Sequence, residues 1–469
     1  MRTTIQLFQK PTKPFWSGNK TDLKSISMKF LNIRFLFLLT SVFISTTIVA
    51  QDNVFLSLED ALGLATQNNT DITIANAQVH STEYALKEAK GNYLPKLFIS
   101  AGYNRNIKRQ VIFLPDGLGL GDTATELGLD NDYQASLNLS FPIFSKFNIA
   151  NKKFTQTRLN FQKEVSRGVE QSIVNATKKA YFAYLITKEV VKVQQNGLNN
   201  AQKIVEDIER RVQQGTLTDF DLTSARVQVA NAKNRLLEAQ SNIVPVGNSL
   251  KLLLGLQPEI NLVLTDSLTI IEKELQLVDH IETMLNQNSR LKQMDLDIEL
   301  SEKQIKMTKT SYYPTVDVIG NYSYQAQENN FRISDYNWIR TSLVGLQLQF
   351  PIFNGTVTKN KVNQAKIARE IAIGEKEYAT RKYRMYYEEL LTELQFYFQK
   401  TEIQQENMKL TAEALMLAKK RYQFGIGTFL EVNDAELSYT RARLSWLQAI
   451  SDYNTTYYDY QLLIGKDLK

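Results

Sequence analysis

Two periodicities take turns along this chain of 469 residues. After Pro95 the chain alternates: Leu97, Ile99, Ala101 and Tyr103 share one face, and Ser100, Gly102 and Asn104 share the other. Residues 133–141 set Tyr133, Ala135, Leu137, Leu139 and Phe141 against Gln134, Ser136, Asn138 and Ser140. Val316, Val318, Tyr322 and Tyr324 oppose Asp317, Asn321, Ser323 and Gln325. Trp338, Val344, Leu346, Leu348 and Phe350 oppose Thr341, Gly345, Gln347 and Gln349. A period of two marks a strand with one apolar face. Each run has about 9–11 residues, the length of a tilted strand crossing a bilayer. By itself the pattern fits an outer-membrane barrel, apolar outward and polar inward. It fits a soluble sheet with one wet face equally well.

The other periodicity is helical. Ile143–Val244 and Ile352–Lys469 contain no proline and are rich in Ala, Leu, Glu, Gln, Lys and Arg. Apolar positions recur at helical spacing, as at Ala180, Tyr184 and Val191, or Leu390, Leu394 and Tyr397. Gly215 and Gly425/Gly427 each interrupt one stretch, which predicts two antiparallel helices turning there. The arm from about 355 to 423 would be roughly 100 Å long. A helix of that length needs neighbours along it, as in a coiled coil. Gly168 and Gly374 allow close approach or bending within the arms, and Pro245 predicts a kink.

The chain is also duplicated. Asn-Tyr-Leu-Pro (92–95) returns as Ser-Tyr-Tyr-Pro (311–314), 219 positions on. Leu-Asn-Leu-Ser-Phe-Pro-Ile-Phe (137–144) returns as Leu-Gln-Leu-Gln-Phe-Pro-Ile-Phe (346–353), 209 positions on. Arg-Val-Gln-Gln-Gly-Thr-Leu-Thr-Asp-Phe-Asp (211–221) returns as Arg-Tyr-Gln-Phe-Gly-Ile-Gly-Thr-Phe-Leu-Glu (421–431), 210 positions on. The expected organisation is a leader at 1–50, a first repeat at 51–256, a linker at 257–276 and a second repeat at 277–469. The first repeat holds a helix, a β-hairpin near 96–141 and a helical hairpin near 143–254 with its tip at 215–219. The second holds a helix, a β-hairpin near 315–350 and a helical hairpin near 355–464 with its tip at 425–429. About ten extra residues in the first repeat fall in the Pro/Gly-rich loop 107–132.

Composition narrows the function. Seven bases against one acid in residues 1–50 account for the whole net charge of +6, leaving the remainder neutral and removing any compositional case for nucleic acid. Met28 opens a basic stretch followed by an uncharged run, Phe35–Gln51, with Ala50 before Gln51. This reads as a cleaved secretory signal rather than a membrane anchor, with 1–27 an upstream extension. No later segment is apolar enough to span a membrane as a helix. There is no cysteine, and His80 and His280 are solitary, so neither thiol chemistry nor a His-rich metal site is available. No phosphate-binding loop, nucleophile elbow or paired-histidine motif occurs, so neither an enzyme nor a cofactor is expected. The absence of Met/His clusters argues against a dedicated copper or silver route.

Four strands cannot close a barrel, and open edges are not tolerated in hydrocarbon. Two copies would give eight strands with a filled interior, whereas three would give twelve and leave room for a lumen. The doubled Phe-Pro-Ile-Phe (141–144, 350–353), the doubled Pro before a strand (Pro95, Pro314) and the doubled Gly-centred tip together resemble the TolC-like outer-membrane efflux protein family. The resemblance covers nearly all of the chain after the leader. It implies a homotrimeric twelve-stranded barrel in outer-membrane lipid, four strands per chain, continued by a periplasmic α-helical barrel with a mixed belt. It also implies an exit duct for tripartite efflux or type I secretion, served by a periplasmic adaptor and an inner-membrane transporter. The competing reading is a soluble periplasmic coiled-coil adaptor or spacer, which explains the arms but not the strands.

The resemblance places Glu431 and Asp434 where relatives carry acidic rings at a constriction. Three carboxylates held close would repel, raise one another's pKa and attract cations. A plainer role is available, since Thr428-Phe-Leu-Glu431 reads as a capping box and Thr218-Asp-Phe-Asp221 resembles one. Tyr422 and Asp221 match family positions whose hydrogen bond helps keep an iris shut. Gly427 departs from relatives that carry a bracing Arg there. Gly215, Thr218, Gly425, Gly427 and Thr428 are the expected adaptor-docking tip residues.

Overall fold

The structure is a computed structural model that describes residues 53–112, 125–268 and 281–465. The leader, His280 and parts of the 107–132 loop and 257–276 linker lie outside the described residues. The first repeat comprises β1 (Asn53–Leu56), α1 (Leu58–Asn68), α2 (Thr70–Gly91), β2 (Lys96–Arg105), β3 (Gln110–Ile112), β4 (Thr125–Leu127), β5 (Asn131–Ser145), α3 (Lys146–Gln213), α4 (Asp219–Ser241) and α5 (Ile243–Leu254). The second comprises β6 (Asn261–Leu264), α6 (Ile281–Gln287), α7 (Ser289–Lys309), β7 (Thr315–Glu328), β8 (Ile339–Gln349), α8 (Val357–Gln423) and α9 (Phe429–Leu463).

The alternating segments form one antiparallel sheet in the order β2-β5-β7-β8. The register keeps like with like. Ile99, Leu137 and Tyr322 lie side by side on the apolar face, and Ser100, Ser136, Ser323 and Thr341 on the polar one. The polar face is laced together: Ser100 and Ser136 hydroxyls meet at 2.7 Å, Asn321 donates to Asn138 at 2.9 Å, and Ser323 meets Thr341 at 2.6 Å. Leu97, Ile99, Val344, Leu346 and Leu348 remain exposed on the other face. The loop joining β2 to β5 carries the small β3–β4 hairpin, which the sequence pattern did not suggest. Arg109 pins its base through Asp130 (2.8 Å) and Asn329 (2.7 Å).

Helices α3 and α8 have 68 and 67 residues, each about 100 Å long. α3 packs against α2, α4, α7 and α9, and α8 packs against α7 and α9. At Gly168 a Cβ would sit 2.8 Å from Ser289 Oγ, so glycine lets α7 lie close to α3; Gly374 faces open space within the chain. The return helix of the first repeat is interrupted just before Pro245, where the sequence predicts a disruption. It divides at Asn242, and Pro245 falls in the first turn of α5, where its missing N–H costs nothing.

Partway along the arms sits a belt with two apolar clusters. One gathers Leu56, Ala61, Tyr181, Leu250 and Leu262 from β1, α1, α3, α5 and β6. The Tyr181 hydroxyl lies 2.8 Å from Asp266 and 3.1 Å from the Leu56 carbonyl. Burial and the Asp266 carboxylate push that hydroxyl far above the usual phenol range. The other cluster packs Leu390, Leu394, Tyr453, Tyr457 and Leu463 from α8 and α9 around Met284 and Leu291.

A duplicated clasp closes each half of the belt. Asn69 caps α2 by accepting from Asp71 and Ile72 N–H, and its amide donates to the Leu253 carbonyl at 2.9 Å. Asn288, 219 positions on, caps α7 and donates to the Leu463 carbonyl at 2.9 Å. Gly255 (φ +66°) and Gly465 (φ +68°) end the two return helices, and a Cβ there would meet the Asn68 and Gln287 carbonyls at 2.6 and 2.5 Å. Replacing Asn288 by Ala removes a helix cap worth about 1 kcal/mol. It also strands a buried carbonyl at about 1–3 kcal/mol. We expect Asn288→Ala to lower the urea midpoint markedly, followed by tryptophan fluorescence. Asn234→Ala, which loses only an exposed contact to Glu238, should leave it unchanged.

Candidate functional site

The two helical hairpins turn through the same motif. In the first, the Gly215 N–H bonds to the Val212 carbonyl and the Thr216 N–H to that of Arg211, both at 2.9 Å, with Gly215 at φ +73°. In the second, Gly425 N–H bonds to Tyr422 and Ile426 N–H to Arg421, with Gly425 at φ +74°. These paired bonds satisfy the last carbonyls of a helix and require a left-handed residue at the turn. Thr218 and Thr428 then cap the return helices by accepting from the Asp221 and Glu431 N–H groups.

From this point the tips diverge. Asp221 completes a reciprocal box, its carboxylate accepting from the Thr218 N–H (3.0 Å) and hydroxyl (2.7 Å). These hydrogen bonds hold the Asp221 carboxyl below the usual range. Glu431 does not complete the box expected of it. Its carboxylate lies 3.6 Å from the Arg421 guanidinium, which also donates to the Ile426 carbonyl at 3.3 Å. The ion pair thus joins the end of α8 to the start of α9. Asp434, one turn further along α9, is exposed and makes no contact of this kind among the described residues.

The expected Tyr422–Asp221 hydrogen bond is not made among the described residues; Asp221 Oδ2 is bonded to Thr218 instead. Tyr422 is buried, and its hydroxyl lies close to Asp207 but makes no hydrogen bond of 3.5 Å or less among the described residues. Burial is the main cause that raises its pKa; the Arg211 cation opposes the shift, and Asp207 and Asp221 add to it. Arg211 lies 4.6 Å from the Tyr422 ring centre and is held by Asp207 at 2.8 Å. A groove of about 410 Å³ between the hairpins is lined by Asn200, Lys203, Asp207, Arg211, Lys419 and Tyr422. Just behind it Glu436 of α9 receives Asn200 of α3 and pairs with Lys419 of α8, each at 2.9 Å.

At Gly427 a Cβ would come 3.0 Å from the Arg421 Cβ and 3.1 Å from the Tyr422 nitrogen. This glycine therefore brings the turn down onto α8, where its N–H joins that of Ile426 on the Arg421 carbonyl. Leu217 stands at the matching place in the first tip, where the Thr216 hydroxyl takes the second site on the Arg211 carbonyl. Sequence reasoning passed over Arg211 and Arg421, although both open the repeated tip motif at a spacing of 210. It also passed over four exposed apolar residues around the turns, Phe220, Leu430, Phe424 and Ile426. The tips thus offer apolar knobs, two unpaired or surface-paired acids and a cation–aromatic contact between hairpins.

A family model described as outer membrane efflux protein matches residues 61–256 and 280–466. The chain is 21% identical over 397 residues to the cation efflux system protein CusC of Escherichia coli O157:H7, covering 83% of this chain and 81% of that one. Among solved structures it resembles the CmeC outer membrane channel of Campylobacter jejuni, with a TM-score of 0.72, 17% identity and coverage of 87% and 85%. It also resembles the outer membrane protein VceC of Vibrio cholerae, with a TM-score of 0.69, 17% identity and coverage of 88% and 97%.

Two results follow from the tip geometry. Because the Asp221 pKa is lowered on folding, its box stabilises the first tip above the ordinary carboxylate range and is lost as pH falls through the folded value. In Thr218→Ala that loss should begin at a higher pH, read as amide exchange of residues 216–224 corrected for intrinsic rate. Gly427→Ala should loosen the second tip alone, giving faster exchange at 424–430 and unchanged exchange at 214–220.

Proposed function

The chain belongs to the outer membrane efflux protein family, and from that premise we propose that three copies build one passive exit duct. Their twelve strands close a barrel in the outer membrane, and their helical arms continue the tube through the periplasm. An inner-membrane transporter, acting through a periplasmic adaptor, delivers cargo to it for tripartite efflux or type I secretion. The observation that carries this reading is the sheet. It has two unpaired edges, β2 and β8, and an apolar face open to its surroundings. Unpaired backbone groups in lipid cost several kcal/mol each, so the edges must meet other edges.

The helices support the same assembly. On α8, Ile371, Tyr378 and Met385 are exposed at a spacing of seven, as are Phe396, Ile403, Leu410 and Leu417. A seven-residue repeat is the seam of a left-handed coiled coil, and the eleven-residue step between the runs is a stutter that locally unwinds it. On the first hairpin Phe220 and Val227, then Leu237 and Val244, are exposed at the same spacing. In the trimer these two seams face each other between copies. A soluble adaptor leaves the apolar face of the sheet unexplained.

Glu431 and Asp434 then form acidic rings at the periplasmic mouth. Gly215, Thr218, Gly425, Gly427 and Thr428 shape the tips that the adaptor grips, with Phe424, Ile426 and Leu430 as its apolar contacts. The closed iris is braced by Arg421–Glu431 and by Arg211 stacked on Tyr422, in place of a Tyr422–Asp221 bond. The polar sheet face, lined with Ser, Asn and Gln, suits hydrated cargo of varied chemistry.

Planar-bilayer recordings test the reading. The purified protein should conduct with a preference for cations. Glu431→Gln combined with Asp434→Asn should reduce that preference, seen as a smaller reversal potential in a salt gradient. Arg421→Ala should raise conductance by loosening the brace. A single-copy mass in detergent together with electrical silence, tip acids neutralised or not, would sink the duct.

A further inference from the structure

We propose that β8 of one copy pairs antiparallel with β2 of the next in a register set by the internal repeat. In that register Leu346 faces the partner's Tyr103, Gln347 the partner's Gly102, and Gln349 the partner's Ser100. The inference rests on the trimeric reading above and specifies the seam that reading requires.

The argument uses the two sequence offsets as a coordinate transformation. β7 corresponds to β2 moved on by 219 positions, and β8 to β5 moved on by 209. Applied to the first hairpin, these offsets carry Lys96–Ser140 to Thr315–Gln349 and Ser100–Ser136 to Ile319–Gly345. Both transformed pairs are present in the second hairpin. The repeat therefore preserves strand register as well as sequence. The remaining junction within the chain is β5 with β7, where Leu137 faces Tyr322, Asn138 faces Asn321 and Ser140 faces Ile319. β8 and the next copy's β2 are the transformed counterparts of those strands, and the proposed pairs are the transformed residues.

A second observation supports the seam independently. The same four residues, Phe-Pro-Ile-Phe, end β5 and follow β8. In the first repeat they belong to the strand, which runs on to Ser145 because β7 lies beside it. In the second, the strand stops at Gln349. Phe141 and Phe144 are each 37% exposed, whereas Phe350 and Phe353 are 58% and 83% exposed. Identical sequence with unequal exposure marks a missing neighbour on β8. In the proposed register that neighbour is the start of β2, and the strand extends through Phe353.

The faces agree as well. Leu346 and Leu348 meet Tyr103 and Ala101 on the lipid side, while Gln347 and Gln349 meet Gly102 and Ser100 on the lumen side. A slip of one residue would set apolar against polar along the whole seam. A slip of two keeps the faces but breaks the equivalence of the repeats.

The chain has no cysteine, so disulfide trapping is clean. The designed pairs are Gln347→Cys with Gly102→Cys, and Gln349→Cys with Ser100→Cys. Opposed residues have Cα atoms about 4.5–5.5 Å apart, inside the roughly 7 Å reach of a disulfide. The slipped controls are Gln347→Cys with Ser100→Cys and Gln347→Cys with Asn104→Cys, which lie on diagonals of about 7–8 Å. Bridging within one chain is ruled out because β2 and β8 are opposite edges of the sheet, three strand spacings of about 4.8 Å apart. On oxidation in native membranes, the designed pairs should give a reducible covalent trimer, several-fold more than either control. In the trimer, Ile352 and Phe353 amides should exchange slowly. Preferential bridging of a control overturns the register. A trimeric mass with none of the four pairs bridging overturns the β8–β2 seam. A single-copy mass overturns the trimeric reading beneath both.

Discussion

A strand at the edge of a sheet carries backbone donors and acceptors that water can satisfy and hydrocarbon cannot. The four-stranded sheet here has such an edge on β2 and another on β8, and its apolar face carries Leu97, Ile99, Val344 and Leu346 without cover. The bare apolar face is costly in water and the open edges are costly in hydrocarbon, and both are resolved together when edges pair inside a bilayer. The long helices inherit the constraint. Arms of about 100 Å can be covered only partly by their own chain, and α8 keeps a seven-residue apolar seam open along its length. Edge pairing at one end and helix pairing along the rest call for the same neighbours in the same rotational order. Family membership and the geometry of a single chain thus both support the proposed trimeric architecture.

Duplication makes the design economical. The same clasp closes both halves of the belt, with an asparagine holding the last carbonyls of a return helix and a glycine letting the chains pass at close range. The same paired turn bonds end both long helices. Differences between the repeats then stand out against a constant frame. The first repeat carries the longer loop and the Arg109 anchor, and the second carries Gly427 in place of a leucine.

The sequence conveyed what depends on local pattern. Strand faces followed from alternation, because one wet and one apolar face leave a period of two in any context. The arms followed from long proline-free stretches, and the turns from Gly215 and Gly425. It hid what depends on contacts between distant segments. The clasp was present as Asn69 and Asn288, and as Gly255 and Gly465, at the repeat spacing, yet nothing local distinguishes a capping asparagine from one that also reaches a second helix. Pro245 was legible as a disruption, and the helix breaks at Asn242 because the proline cannot return a hydrogen bond to the Ser241 carbonyl. Glu431 was misread. A capping-box sequence specifies a possible partner, and a nearby guanidinium outside the window was a competitor that spacing could not show.

That competition separates the tips in mechanical terms. The Asp221 carboxylate bonds to Thr218, three residues away, so this acid ties the first tip to the start of α4. The glutamate at the matching position is one methylene longer and turns to Arg421, so the second tip is held across the turn rather than along the helix. Exposed ion pairs contribute about 0–1 kcal/mol. A cation over an aromatic ring at such a site contributes about 0.5–1 kcal/mol. Contacts of that size can be exchanged by a docking protein whose own binding exceeds them, whereas the belt clasp, with buried hydrogen bonds and backbone in close contact, cannot be exchanged so cheaply. In the proposed duct the second hairpin is therefore the movable element, anchored at the belt and free at its tip. Opening then needs the loss of the Arg211–Tyr422 and Asn200–Glu436 contacts between the hairpins and leaves the first hairpin and both clasps in place.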